Sequence, residues 1–134
     1  MNASEQAVAT VLEKYQDALN QSDVDTVMKL YAPDGVFMAE YSPTSVGIAA
    51  VRRAYDMVFK AIALRVKFEV AEIKQAGPEW VFARTNSTGV VKIHATGETA
   101  PEANQELFVF QKIDDAWKIA RYCFATTNPP NTKG

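Results

Sequence analysis

The chain has 134 residues, 48% of them hydrophobic and 22% charged, the composition of one globular domain burying roughly 68% of its unfolded surface, with no room for a second domain that holds a cofactor. A formal net charge of -2 gives no basic footprint for nucleic acid, and no apolar run approaches the ~18 residues of a membrane span. One cysteine, Cys123, excludes an internal disulfide, and one histidine, His94, has no cluster of metal ligands around it, so neither a metal nor another cofactor is expected.

The opening MNASEQAVATVLEKYQ lacks a basic stretch followed by an apolar block, so a cytoplasmic location is expected. Val8, Val11, Leu12, Tyr15, Ala18 and Leu19 recur at three and four residue spacing, which predicts a helix from Ser4, its expected cap, to about Asn20. Asp23 can cap a shorter helix with Val24, Val27, Met28 and Tyr31 on one face, ended by Pro33. A short strand, Val36 to Ala39, then leads into the irregular EYSPTSVG. The third helix begins near Ile48 and turns Val51, Tyr55, Val58, Phe59 and Ile62 inward. The remainder reads as sheet. RVKFEVAEIKQ alternates, Gly77-Pro78 turns it, WVFARTNSTGVVKIH is a long second strand, and NQELFVFQKI with WKIARYCFA forms a hairpin around Asp114-Asp115. Gly89 marks a bend or bulge. The layout is α+β, three N-terminal helices covering one face of a curved antiparallel sheet, as a single domain over 1–127 with a flexible C-terminal tail over 128–134.

Tyr15, Tyr31 and Tyr55 lie on the apolar faces of the three successive helices, which aims three phenols at one cavity. A phenol buried on a helix stripe needs a hydrogen-bond partner, supplied by a ligand or by a backbone carbonyl of the core. In WVFARTNSTGVV, alternation puts Phe82, Arg84, Asn86 and Thr88 on one face and Val81, Ala83, Thr85 and Ser87 on the other. If the first face is concave, a guanidinium, an amide and a hydroxyl project into an apolar cavity, with Arg84 as an anion or carbonyl clamp. If it is exposed or faces another subunit, Arg84 pairs with a carboxylate such as Glu106, and the chain is better read as an interaction or scaffold module. Glu40 is the candidate general base, although strict alternation from Phe37 and Ala39 points it away. Cys123 with His94 as a thiol nucleophile is weighed against a small buried cysteine.

The succession KYQDALNQSDVDTVMKLYAPDGVF, VGIAAVRRAY and ELFVFQKIDDAWKIARY resembles the nuclear transport factor 2-like superfamily, the cone-shaped α+β roll also described as cystatin-like. Within it the chain is most similar to the SnoaL-like and ketosteroid isomerase-like branch, with an ending similar to SgcJ/EcaC-type sequences. The resemblance implies a pocket between the helices and the concave sheet face, and a homodimer through the convex face. It matches Tyr15, Tyr31 and Tyr55 to the hydrogen-bonded tyrosine chain of ketosteroid isomerases. It puts their base at Ala39, their protonated aspartate at Val109 and the SnoaL-type carboxylate at Phe124, so the carboxylates of both mechanisms are missing from their places. It also turns Tyr122 and Phe124 inward and leaves Trp117, Ile119, Arg121, Phe108 and Phe110 for the convex, dimer-forming patch. The expected function is binding of a small organic ligand carrying a carbonyl or carboxylate, with Phe59, Phe82, Arg84, Asn86, Thr88, Tyr122 and Phe124 beside the three tyrosines. The expected chemistry is proton transfer of the isomerase, cyclase or dehydratase type, with Tyr15 and Glu40 as the catalytic pair.

Overall fold

Helix α1 (Ala3–Asn20) opens the chain in the computed structural model, which describes residues 1–130. Its cap is Asn2, two residues before the expected Ser4. Asn2 Oδ1 accepts the Glu5 N–H at 2.9 Å and Glu5 Oε1 accepts the Asn2 N–H at 2.9 Å, a reciprocal box that satisfies two otherwise unpaired donors. Helix α2 (Val24–Leu30) is capped by Asp23, as expected, through the Thr26 N–H at 3.1 Å and the Thr26 hydroxyl at 2.6 Å. It stops before Pro33 is reached, because Tyr31 is already extended (φ -92, ψ 148) and pairs with Ile119. Tyr31 therefore opens strand β1 (Tyr31–Met38) instead of sitting on a helix. After β2 (Ser45–Val46), helix α3 (Ile48–Ala61) ends at Ile62, which starts β3.

Strands β3 (Ile62–Gly77), β4 (Trp80–Ile93), β5 (Thr99–Ile113) and β6 (Ala116–Thr126) form the expected antiparallel meander. Asp114 and Asp115 turn the last hairpin with φ of 49° and 62°, the left-handed pair that matches the twist of the flanking strands. The sheet order is β2-β1-β6-β5-β4-β3, and β1 joins β6 in parallel, so the sheet is mixed. Gly89 is a close approach and not a bulge: it pairs in register with Val66, and a Cβ there would lie 1.9 Å from the Arg65 carbonyl oxygen. The irregularities of this ladder fall instead between Val70 and Glu72 and between Gln75 and Gly77.

Strand β3 is a free edge of the sheet, and α1 covers it with polar side chains. Asn20 bonds both the N–H and the carbonyl of Val66 at 2.9 Å, Gln16 accepts the Phe68 N–H at 2.8 Å, and Glu5 accepts the Gln75 N–H at 3.1 Å. Helix side chains thus replace the missing strand and blunt an edge that would otherwise pair with other chains.

Two face assignments differ from the sequence expectation. On β4 the small side chains Val81, Ala83, Thr85 and Ser87 are buried and face the helices, while Arg84, Asn86 and Thr88 are exposed on the convex side. The small residues lie inside because Phe108 and Phe110, both fully buried, fill the space against them from β5. On β6 the alternation breaks. Val109 pairs with Arg121 and Phe110 with Ile119, leaving Ala120 as an extra residue that reverses the phase. Trp117 and Ile119 therefore share the core face with Tyr122, and neither they nor Phe108 and Phe110 form a convex patch; of that set only Arg121 is exposed. Among the described residues, no helix is long and apolar enough to cross a membrane. Of the expected tail, residues 131–134 lie outside the described residues, and the Asn128 N–H is bonded to the Thr126 hydroxyl at 3.1 Å.

Candidate functional site

A cavity of about 150 Å³ lies between the helices and the concave sheet face. Leu19 of α1, Val58 of α3 and Leu64, Val66 and Phe68 of β3 give it apolar walls, and Phe37, Tyr122 and Phe124 stack as a continuous aromatic floor, with centroids 5.6 and 6.1 Å apart. Two polar features interrupt that surface. One comes from the tyrosines, the other from β4 and β5.

Tyr55 is the hub of the first. Its hydroxyl lies 2.6 Å from the Tyr15 hydroxyl and 2.8 Å from that of Tyr31, in a region where all three rings are buried. Three hydroxyls own three protons, and two hydrogen bonds consume two of them. Tyr31 lies behind Tyr55, outside the cavity wall, so the arrangement that satisfies every oxygen has Tyr31 donating to Tyr55 and Tyr55 to Tyr15. The third proton then belongs to Tyr15, which lines the cavity beside Tyr122. Burial pushes the phenols of Tyr15, Tyr31, Tyr55 and Tyr122 above the ordinary tyrosine value, which keeps them as neutral donors.

The second feature centres on Glu106, which is only 6% exposed and lines the cavity. Its Oε1 accepts the Thr85 hydroxyl and its Oε2 the Ser87 hydroxyl, each at 2.5 Å. Burial raises its carboxyl above the usual range; the two hydroxyls oppose that shift, and nearby Glu102 adds to it. Glu102 also lines the cavity and is raised by burial first, with a smaller push from Glu40. Asn104 completes this polar end, and among the described residues no lysine, arginine or histidine lines the cavity.

Tyr15, Tyr55, Tyr122 and Phe124 stand in the wall. Phe59 packs beside Tyr55, centroids 6.1 Å apart, without reaching the cavity. Phe82, Arg84, Asn86 and Thr88 are on the other side of the sheet, and Arg84 is paired with Glu72 at 2.6 Å, not with Glu106. Glu40 does not face the cavity; its carboxylate accepts the Thr126 N–H at 3.0 Å, because the loop after β1 lies against the end of β6. Val109 falls on the convex side opposite Arg121. Cys123 is half-buried opposite Leu107, away from the exposed His94. Among the described residues, no group of three or more His, Cys, Asp or Glu is placed to hold a metal ion. Sequence reasoning missed Ser87, Glu102, Asn104 and Glu106 as cavity residues, and Thr85 as a partner that holds Glu106. The available signal was phase: Glu106 alternates with Phe108 and Phe110, which puts a carboxylate on an aromatic core face.

Comparison with known proteins matches residues 12–122 to the SnoaL-like domain. A ketosteroid isomerase-like protein from Erwinia carotovora atroseptica SCRI1043 is 31% identical, with a TM-score of 0.92 over 96% of this chain and 100% of that one. A nuclear transport factor 2-like superfamily protein from Salmonella enterica has a TM-score of 0.81 at 14% identity, over 97% of this chain and 96% of that one. A protein with a cystatin-like fold from Caulobacter vibrioides has a TM-score of 0.76 at 16% identity, over 92% of this chain and 89% of that one. Comparison with curated protein sequences gives no match.

Proposed function

We propose that this chain, which belongs to the SnoaL-like domain family, binds a small, largely apolar carbonyl compound between its helices and its sheet and promotes proton transfer on it. The observation that carries this reading is the tyrosine chain ending at Tyr15, whose hydroxyl lies in the wall of a largely apolar cavity beside Tyr122, with the carboxylates of Glu102 and Glu106 in the same wall. A neutral phenol supported by two more phenols is suited to hold negative charge developing on a carbonyl oxygen, because each hydrogen bond polarises the next and water is largely excluded. The reaction class this favours is isomerisation, cyclisation or dehydration through an enolate. The 31% identity to a ketosteroid isomerase-like protein supports the same class. Tyr15→Phe is expected to weaken binding of a neutral ketone such as acetophenone, followed by chemical-shift titration, by at least about fivefold, the lower range of a hydrogen bond in a desolvated site. An unchanged affinity removes this reading.

One observation favours a second reading, an interaction module in which two chains pair through the convex face. Arg84, Asn86 and Thr88 are exposed there, together with Leu107 at 42%. Light scattering at micromolar concentration tests it: a dimer that Leu107→Glu dissociates, with ketone binding absent, favours the module over the ligand site.

A further inference from the structure

Among the described residues, Glu106 is the one buried carboxylate that lines the cavity with both oxygens held, and it shares that wall with Tyr15 and Tyr55 of the phenol chain. From this juxtaposition we propose that Glu106 is the proton-accepting base of the site, and that the compound it acts on is electrically neutral; this rests on the ligand-binding reading above. The base thus comes from the middle of β5 and not from the end of β1, where Glu40 is engaged by the Thr126 backbone.

The geometry suits the role in three ways. Glu106 lies two residues before Phe108 on the same face of β5, and Phe108 stacks on Tyr122 with centroids 4.1 Å apart and meets Tyr15 edge-on at 5.5 Å. Phe108 is therefore a near neighbour of both base and phenol donor, so a ketone held in this cavity can present its oxygen to one and an adjacent C–H to the other. Thr85 and Ser87 fix the carboxylate plane from β4, one hydroxyl on each oxygen, and act as positioning residues. A carboxylate hydrogen-bonded only by neutral hydroxyls and partly desolvated is also a stronger base than an exposed one.

The step balances without a further reactant. Glu106 takes a proton from the carbon next to the carbonyl. The C–H electron pair becomes the enolate carbon–carbon double bond, and the carbonyl π pair moves onto oxygen, where the Tyr15 O–H holds it by a hydrogen bond. Return of the proton to another carbon gives an isomer, and its return to the first carbon gives exchange with solvent. The groups facing Glu106 also set the ligand's charge. Glu102 comes from its own strand and Tyr15, Tyr55 and Tyr122 from α1, α3 and β6, with Glu40 near Glu102 and, among the described residues, no cationic side chain in the wall. A carboxylate ligand would bring a second negative charge into this poorly hydrated space with nothing to pair it. The expectation of a carbonyl or carboxylate ligand thereby narrows to the carbonyl.

The experiment is α-proton exchange of acetophenone in D2O, followed by proton NMR, with wild type, Glu106→Gln and Glu106→Asp, each checked by thermal melting. Wild type is expected to accelerate exchange along a profile that falls as acidity protonates a carboxyl of raised pKa. Glu106→Gln is expected to lose about a hundredfold or more while binding acetophenone within about threefold of wild type. Glu106→Asp, a shorter base, should keep part of the rate, and benzoate, the anionic isostere, should bind at least about tenfold more weakly than acetophenone. If Glu106→Gln exchanges at the wild-type rate, or if wild type binds acetophenone without accelerating exchange, the assignment of the base is overturned and the binding reading stands. Equal binding of benzoate overturns the charge assignment. Failure of acetophenone to bind overturns the binding reading and this inference with it.

Discussion

The phenol network makes an unequal demand on its members, and Tyr55→Phe tests that inequality. The substitution keeps the ring, which stacks on Phe37 at 4.7 Å, and removes only the oxygen that bonds Tyr15 at 2.6 Å and Tyr31 at 2.8 Å. Two hydrogen bonds are lost at about 1 kcal/mol each, and the Tyr31 proton is stranded in the core at a further cost of about 1–3 kcal/mol, for a total of about 3–5 kcal/mol. Tyr31→Phe deletes only the terminal donor and leaves Tyr55 bonded to Tyr15, so its cost is about 1 kcal/mol. For a domain of this size 1 kcal/mol moves Tm by roughly 3–5 °C, so Tyr55→Phe should melt at least about 10 °C below wild type and Tyr31→Phe about 4 °C below. Urea titrations with unchanged m-values would place the effect in the native state. Equal losses for the two variants, or a loss under about 1 kcal/mol for Tyr55→Phe, would refute the directional chain and with it the spare proton assigned to Tyr15.

Glu106→Gln should change how stability depends on pH. A carboxyl whose folded pKa is raised contributes stability that is fully present below the unfolded value and is lost as pH rises through the folded one, so the Tm of the variant relative to wild type should climb from acid to neutral pH. Parallel curves for the two proteins would contradict this. Asn20→Ala removes both side-chain bonds to Val66 and should cost about 1–2 kcal/mol, with faster amide exchange at Val66 than at the β4 and β5 amides. Gly89→Ala drives a Cβ to 1.9 Å from a backbone oxygen, and a loss of about 3 kcal/mol or more in urea unfolding is expected; a loss under about 1 kcal/mol would mean that β3 can yield there.

The elements that the sequence declared are those whose signal is local. The apolar stripe of α1, the Asp23 cap and the Asp114-Asp115 turn each depend on neighbours within a few residues, and each stands where it was read. The site depends on phase across strands, which is not local. Alternation divides β4 into two faces but does not say which is concave, and small residues look like the weaker candidates for a core until the Phe108 and Phe110 rings that fill the space above them are known. On β6 a single extra residue, Ala120, carries no local signature, yet it reverses every side chain beyond it and moves Trp117 and Ile119 from an imagined outer surface into the core. Tyr31 was expected on a helix and lies on a strand, but its hydroxyl still reaches Tyr55, because either conformation carries the ring inward at that point of the chain.

A domain held together by packing alone has little use for Glu106. Leaving water is costly for a carboxylate, and the two hydroxyls beneath it recover only part of that cost, whereas aliphatic side chains at positions 85, 87 and 106 would continue the apolar face formed by Val81, Ala83, Phe108 and Phe110. The tyrosines present the same choice, since three phenylalanines would pack without needing partners. Among the described residues, no buried side-chain nitrogen or oxygen lacks a hydrogen-bond partner, so both clusters are built to completion. They are also separate networks: the phenols in the cavity wall come from α1, α3 and β6 with Tyr31 of β1 behind them, the carboxylate from β5 and the hydroxyls that hold it from β4. A proton donor and a proton acceptor held by separate hydrogen-bond networks in one largely apolar cavity remain distinct, because each is engaged by its own partners and not by the other. That separation is what an acid–base pair requires and what a packing motif does not.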